Sequence, residues 1–246
     1  MSAAIQIENL SYCYRSAIQY SLKNVSFQVQ KGEIFGLLGT NGAGKSTAIS
    51  VLCGLLKPTS GFVKVLDFEL PEYANQLKSK IGVVPQDIAL YPELTARENL
   101  RFFGGMYDLS SNELKLKIDY YLEKLGLSQF ANRSVGKFSG GMKRRVNLIA
   151  GILHDPQLLF LDEPTVGIDI QSKIAIRNLL IELKTNNKTI VYTSHDLDEA
   201  QSLCDSVLLL DVGEVILSGN TSHIIEQNNR SLHDVFLSKT GNQFRD

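Results

Sequence analysis

The stretch Gly39-Thr40-Asn41-Gly42-Ala43-Gly44-Lys45-Ser46-Thr47 has a glycine, four residues and then Gly-Lys-Ser, the spacing of a phosphate-binding P-loop. Its surroundings suit that reading. Ile34-Phe35-Gly36-Leu37-Leu38 is an apolar run of strand length, and Ala48, Ile49, Val51, Leu52 and Leu55 recur at helical spacing. Gly39, Gly42 and Gly44 let the chain curl between strand and helix, so that successive N–H groups point inward. The opening turn of the helix adds its unpaired donors and the positive end of its dipole. This predicts a cradle for the β- and γ-phosphates of a nucleotide, with Lys45 as a point charge on them and the Ser46 hydroxyl on Mg²⁺. Thr40, Asn41, Ala43 and Thr47 complete the cradle. A glycine-rich turn with an incidental lysine is the plain alternative, and the strand–helix setting counts against it.

The rest of the chain sets bounds on what this loop can serve. At 246 residues there is room for one large domain with a subdomain. With 25 Lys+Arg against 26 Asp+Glu the net charge is −1, so no field draws in nucleic acid or anionic lipid. Cys13, Cys53 and Cys204 are scattered, which implies neither a zinc site nor a disulfide framework and suits a reducing compartment. The start, Met1-Ser2-Ala3-Ala4-Ile5-Gln6, lacks the build of a signal peptide. No apolar run approaches the roughly 18–20 residues that cross a bilayer.

Outward from the loop, strands come first. Ile5 to Leu10 and Val25 to Val29 alternate apolar and polar residues, and Phe62 to Leu66 reads as a further strand after the turn Pro58-Thr59-Ser60-Gly61. Ile81-Gly82-Val83-Val84 is a short buried strand ending at Pro85-Gln86. Helices follow. Thr95-x-x-Glu98 and Ser110-x-x-Glu113 have the form of capping boxes, the second leading into Leu114, Ile118, Tyr121, Leu122 and Leu125, closed by Gly126. Ser139-Gly140-Gly141 opens a helix with Val146, Ile149, Ile152 and Leu153 on one face. Then come the strand Leu158 to Leu161, a helix over 172–184, the strand Thr189 to Tyr192, a helix capped by Asp196, and the hairpin Val207 to Leu217. The final 25 or so residues read as amphipathic helix anchored by Leu232, Val235, Phe236 and Leu237. Strands alternating with helices predict an α/β fold with a largely parallel sheet. The strand-rich start predicts an N-terminal β subdomain. Residues from about 88 to 150 are expected to form an inserted helical subdomain, and those from about 219 to 246 a short C-terminal helical extension.

A P-loop that hydrolyses its ligand needs a carboxylate for Mg²⁺ and a group to activate water. Asp162 ends an apolar strand and fits the first role; Glu163, emerging beside it, fits a general base. Gln86 ends another strand, where its amide can meet Mg²⁺ or water, and His195 follows a third. Either could instead be an ordinary surface or structural residue. Ser194-His195-Asp196 is not a hydrolase triad, because sequence neighbours cannot form that relay. Ser139-Gly140-Gly141 is a second anion site by the physics of the first, with no lysine or metal ligand of its own. It makes sense as a lid over a nucleotide bound elsewhere. The run Lys143-Arg144-Arg145 adds positive charge there, though such a run is usually a solvated helix face.

In this order the motifs resemble the nucleotide-binding subunit of an ABC transporter: Tyr14 (A-loop), Gly39 to Thr47 (Walker A), Gln86 (Q-loop), Ser139-Gly140-Gly141 (signature), Leu158 to Glu163 (Walker B), Gly167-Ile168-Asp169 (D-loop) and His195 (H-loop). The signature departs from the family's commonest Leu-Ser-Gly-Gly-Gln by reading Phe138-Ser139-Gly140-Gly141-Met142. That keeps the serine and backbone donors and loses the glutamine amide. With Gly82 to Gln86, and Val235-Phe236-Leu237 and Thr240-Gly241 near the end, the chain is similar to bacterial exporters of the drug, sodium and polysaccharide-type group.

The resemblance implies two subunits sandwiching two ATP molecules with Mg²⁺, so that Ser139 to Gly141 clamp the ATP held by Lys45 of a second nucleotide-binding subunit. Tyr14, or Tyr12 beside it, would stack on adenine. Gln86, Ser46 and Asp162 would serve the metal, Glu163 would polarise water, His195 would hold the γ-phosphate, and Asp169 would signal across the dimer. A separately encoded membrane permease would receive the motion near Gln86 and Tyr91-Pro92-Glu93-Leu94, placing the chain on the cytoplasmic face of the membrane. The alternative is a soluble ABC ATPase working on nucleic acid or ribosomes; one copy, no heptad run and neutral charge disfavour it. A GTPase would need a guanine-reading Asn-Lys-x-Asp, which Asn186-Asn187-Lys188-Thr189 does not supply. A kinase would leave the Ser139 segment and His195 unexplained, and intact Glu163 and His195 weigh against a non-hydrolysing regulatory subunit.

Overall fold

A computed structural model of the chain describes residues 3–15 and 17–240. Gly241, the rest of the predicted extension beyond Thr240, and Met1-Ser2 lie outside these residues. The strands are β1 (Ala3–Tyr12), β2 (Leu22–Gln30), β3 (Ile34–Gly39), β4 (Ser60–Val65), β5 (Phe68–Leu70), β6 (Ile81–Val84), β7 (Leu158–Leu161), β8 (Thr189–Ser194), β9 (Ser206–Asp211) and β10 (Glu214–Asn220). The helices are α1 (Lys45–Leu52), α2 (Ala74–Lys78), α3 (Ala96–Gly104), α4 (Ser111–Lys124), α5 (Gly140–Ile152), α6 (Ile170–Thr185), α7 (Leu197–Leu203), α8 (Thr221–Asn228) and α9 (Leu232–Thr240). The chain divides into two compact units, residues 1–78 with 189–246, and residues 79–188.

The first unit has an antiparallel sheet in the order β2-β1-β4-β5, and β3 lies parallel between β8 and β9, with β10 folded back on β9. Alternation in β2 sends Val25, Phe27 and Val29 inward, as a sheet with one wet face requires. Phe27 stacks on Phe35 of β3 at 5.2 Å and ties the antiparallel sheet to the parallel strands. Every residue of β3 is buried, and the burial of Phe35, Leu37 and Leu38 contributes about 1.5–3 kcal/mol each. The strand that feeds the P-loop is therefore fixed on both faces.

The second unit pairs β6 with β7 in parallel and packs α3 to α6 around them. Thr95 caps α3 with the reciprocal bonds of a capping box. Ser110 caps α4 from one side only: its hydroxyl accepts from the Glu113 N–H, while the Glu113 carboxylate pairs with Lys117 at 3.2 Å. The second predicted box is therefore half formed.

Other local expectations also change. Leu55 is 68% exposed and lies past the end of α1, because Gly54 adopts φ +72° and turns the chain. Only Leu232 and Val235 anchor α9, whereas Leu237 faces solvent. The short elements β5 and α2 had no periodic signal to announce them.

Candidate active site

In the first unit the site is built on the ends of two parallel strands. Leu38 of β3 is level with Ser194 of β8, so Gly39 and His195 leave the sheet at the same edge. Carboxyl ends of parallel strands are where α/β sheets receive ligands. His195 is exposed there. Helix α1 starts directly after the loop, and its start differs from those of most other helices. Side-chain oxygens of Thr95, Ser110, Ser139, Asp169, Asp196 and Asn220 cap six helices, whereas α1 has Gly44 at φ +107° and no side-chain cap. A helix start with no side-chain cap is the kind of place where backbone N–H groups can meet an anion.

Gly44 cannot be replaced at this turn without a clash. A Cβ there would come 2.6 Å from Ser21 O, whereas a Cβ on Gly42 (φ +78°) would meet nothing within 4 Å. Around the loop, Gly213 N–H donates to Ala43 O at 3.0 Å, so the β9–β10 turn props the cradle from behind.

Lys45 is 6% exposed and its ammonium donates to Gly39 O at 3.0 Å and Thr40 O at 3.1 Å. A buried ammonium is costly unless compensated, and these two loop carbonyls compensate it. Ser46 is exposed at the mouth of the loop. The Tyr14 hydroxyl lies 3.2 Å from Thr47 Oγ1, and its ring, 41% exposed, meets Tyr12 edge-on at 4.9 Å. Both tyrosines named for adenine therefore stand together, with Tyr14 tied to the end of the P-loop.

The second unit repeats the strand-end logic. Val84 of β6 is level with Leu161 of β7, and Asp162 N–H donates to Val84 O at 2.9 Å. Gln86 and the Asp162-Glu163 pair therefore emerge side by side. Gln86 Nε2 donates to Glu163 Oε2 at 3.3 Å. Glu163 is 5% exposed and sits at φ +47°, a left-handed conformation that costs about 1–3 kcal/mol in a non-glycine residue. Such strain is found where a side chain must be aimed.

Ser139 and Gly141 prove to have structural tasks as well. The Ser139 hydroxyl accepts from Met142 N–H at 3.2 Å, capping its own helix, and its proton stays available as a donor. Gly140 is exposed. Gly141 is buried against the cap of α6, where a Cβ would lie 2.6 Å from Asp169 Oδ2. Asp169 itself accepts from Ser172 N–H and Ser172 Oγ–H, both at 2.8 Å, which holds its carboxyl below the usual aspartate range.

The reading of Lys143-Arg144-Arg145 as a solvated face is overturned. Arg144 is 7% exposed and donates to the carbonyls of Pro85 and Gln86. Arg145 donates to Leu125 O at 2.6 Å and to Gly141 O. Burial pushes the Arg144 guanidinium below its ordinary pKa, opposed by the charges of Asp87, Glu163 and Asp162. Asn99 was also missed: fully buried, it accepts from Tyr91 N–H at 2.8 Å and donates to Tyr91 O at 3.0 Å, shaping the 91–95 turn. One asparagine in a helical pattern gives no warning of this. The position of Arg144 could have been read from the face of α5, since it precedes Leu148 and follows Gly141 at helical spacing.

Among the described residues no group of three or more His, Cys, Asp or Glu could hold a metal.

A nucleotide loop at one strand end, with an Asp-Glu pair and a glutamine at others, defines a P-loop NTPase. The ABC transporter family model matches residues 22–166, and the chain belongs to that family. Within it, the chain is an ATP-binding and ATP-hydrolysing subunit. It is 45% identical over 220 residues to the linearmycin resistance ATP-binding protein LnrL of Bacillus subtilis, covering 89% of this chain and 70% of the relative. It is 37% identical over 226 residues to the Nod factor export ATP-binding protein I of Cupriavidus metallidurans, covering 92% of this chain and 74% of the relative. Among solved structures, it superposes with TM-score 0.80 and 28% identity on a dimeric ATP-binding cassette in a post-hydrolysis state bound to ADP and phosphate, covering 88% of this chain and 98% of the other.

Proposed function

We propose that this chain drives the export of a drug, ion, lipid or polysaccharide-type cargo through a separately encoded membrane permease. The observation that carries the reading is the uncapped start of α1 beneath the buried Lys45, a phosphate cradle in a chain whose relatives are named for resistance and export. Lys45 and the N–H groups of Gly39 to Thr47 bind the β- and γ-phosphates of ATP, and Tyr14 stacks on its adenine. Ser46, Asp162 and Gln86 are the residues that would hold Mg²⁺, whose chemistry is to neutralise charge on the transferred phosphoryl group. Glu163 takes a proton from the attacking water, and His195 holds the γ-phosphate.

Two copies close head to tail, each presenting Ser139, Gly140 and Gly141 to the nucleotide of the other; a dimeric structural neighbour with hydrolysis products supports this arrangement. No helix among the described residues is long and apolar enough to cross a membrane. The half-exposed aromatics Tyr91 and Phe102, packed edge to face at 4.9 Å, are the surface offered to it on the inner side of the membrane.

The test is to tag the chain in its native cell and identify what co-purifies from membranes in mild detergent. A stoichiometric multi-span protein is the expected result. Recovery with ribosomes or nucleic acid in place of a membrane protein would overturn the transport reading.

A further inference from the structure

We infer that Arg144, with Asn147 one turn further along α5, is a positioning residue that clamps the Gln86 loop and so aims Glu163. The inference rests on the reading of Glu163 as the base. Helix α5 starts at the signature residues, and its buried face reaches the loop after β6 through two side chains. Arg144 Nη1 donates to Gln86 O and, at 3.3 Å, to Pro85 O. Asn147, 4% exposed, donates to Pro85 O at 3.4 Å and accepts from Ala89 N–H at 3.3 Å. The loop is thereby held at 85, 86 and 89. The Gln86 side chain then donates to Glu163 Oε2. One connected set of bonds runs from the helix behind the signature to the buried Glu163 carboxylate.

The cost of the arrangement argues that it serves a purpose beyond stability. Burying a charged group is costly, and Arg144 Nε is buried with no hydrogen-bond partner. An apolar residue of similar length could fill the same space, but it would leave the Pro85 and Gln86 carbonyls without these donors. It could not fix two successive carbonyls. Those carbonyls set the direction in which the Gln86 amide leaves the backbone, and with it the orientation of Glu163, already in a strained conformation.

The test compares steady-state ATP hydrolysis by the purified full-length chain as wild type, Arg144→Met, Arg144→Lys, Asn147→Ser and Glu163→Gln, with ATP KM and thermal unfolding for each. Arg144→Met should lower kcat by roughly 10- to 100-fold, the scale of a misplaced catalytic group. Its KM should stay within about twofold of wild type, because the phosphate cradle lies in other residues. Arg144→Lys, which keeps one charged donor, should recover part of the loss, and Asn147→Ser should fall in the same direction. Wild-type kcat in Arg144→Met, or a rise in KM alone, overturns the clamp. If Arg144→Met fails to fold, wild-type kcat in Asn147→Ser does so instead. Glu163→Gln separates the two readings: if it keeps wild-type turnover, the base assignment is wrong, whereas its loss beside an unaffected Arg144→Met sinks the clamp alone.

Discussion

Replacing Gly44 with alanine tests whether the cradle depends on close approach or only on glycine's flexibility. At φ +107° a Cβ costs about 1–3 kcal/mol of backbone strain. The same Cβ would sit 2.6 Å from Ser21 O and 3.0 Å from Leu22 Cδ2. Ser21 cannot retreat easily, since its N–H is bonded to Tyr12 O at 2.8 Å and its carbonyl lies between Gly44 and Gly213. Overpacking of this kind adds about 1–3 kcal/mol. The reduced freedom of the unfolded chain returns about 0.4–1 kcal/mol. Gly44→Ala should therefore destabilise by about 1–5.6 kcal/mol. Gly42→Ala provides the control, because open space leaves it only the strain, about 0–2.6 kcal/mol after the same correction. Urea unfolding gives the stabilities, and titration with a fluorescent ATP analogue gives the affinity, which should fall further for Gly44→Ala as α1 pulls away from the loop. Equal losses for the two variants would refute the argument from close approach.

Lys45→Ala should abolish tight ATP binding in equilibrium titrations; unchanged affinity would remove Lys45 from the phosphate site. Glu163→Gln with saturating Mg-ATP should run as a dimer in light scattering, and a persistent monomer would sink the self-sandwich. His154 provides the pH dependence. It is stacked on Tyr107 at 3.7 Å, with its Nε2–H on Ile81 O at 2.9 Å, and burial holds its pKa below the ordinary histidine value against that bond, which favours charge. Its folded pKa is the lower one, so its contribution to stability is full above the unfolded value near 6.5 and fades as pH falls toward the folded one. His154→Gln should flatten the stability profile in that window, and a profile as steep as wild type would refute the assignment.

Much of this was legible in the sequence because strong local rules carried it. The P-loop spacing, the apolar run of β3 and the Asp-Glu pair after β7 each sit at a strand end, where backbone direction decides what a side chain faces. Capping residues Thr95, Ser139 and Asp196 were equally plain. What failed depended on tertiary partners. Arg144 looked like one of three solvated cations, and only the loop after β6 reveals the carbonyls it meets. Glu113 had the right spacing for a capping box but found a nearer partner in Lys117. The left-handed backbone of Glu163 leaves no trace in composition or periodicity.

The most direct test of the account is phosphate release from Mg-ATP by the purified chain, with Glu163→Gln beside it and ATP binding measured on both. The account predicts turnover by the wild type and a loss of roughly 10²- to 10⁴-fold in the variant, the range of general-base catalysis, with ATP still bound. Equal turnover by the two proteins would contradict it.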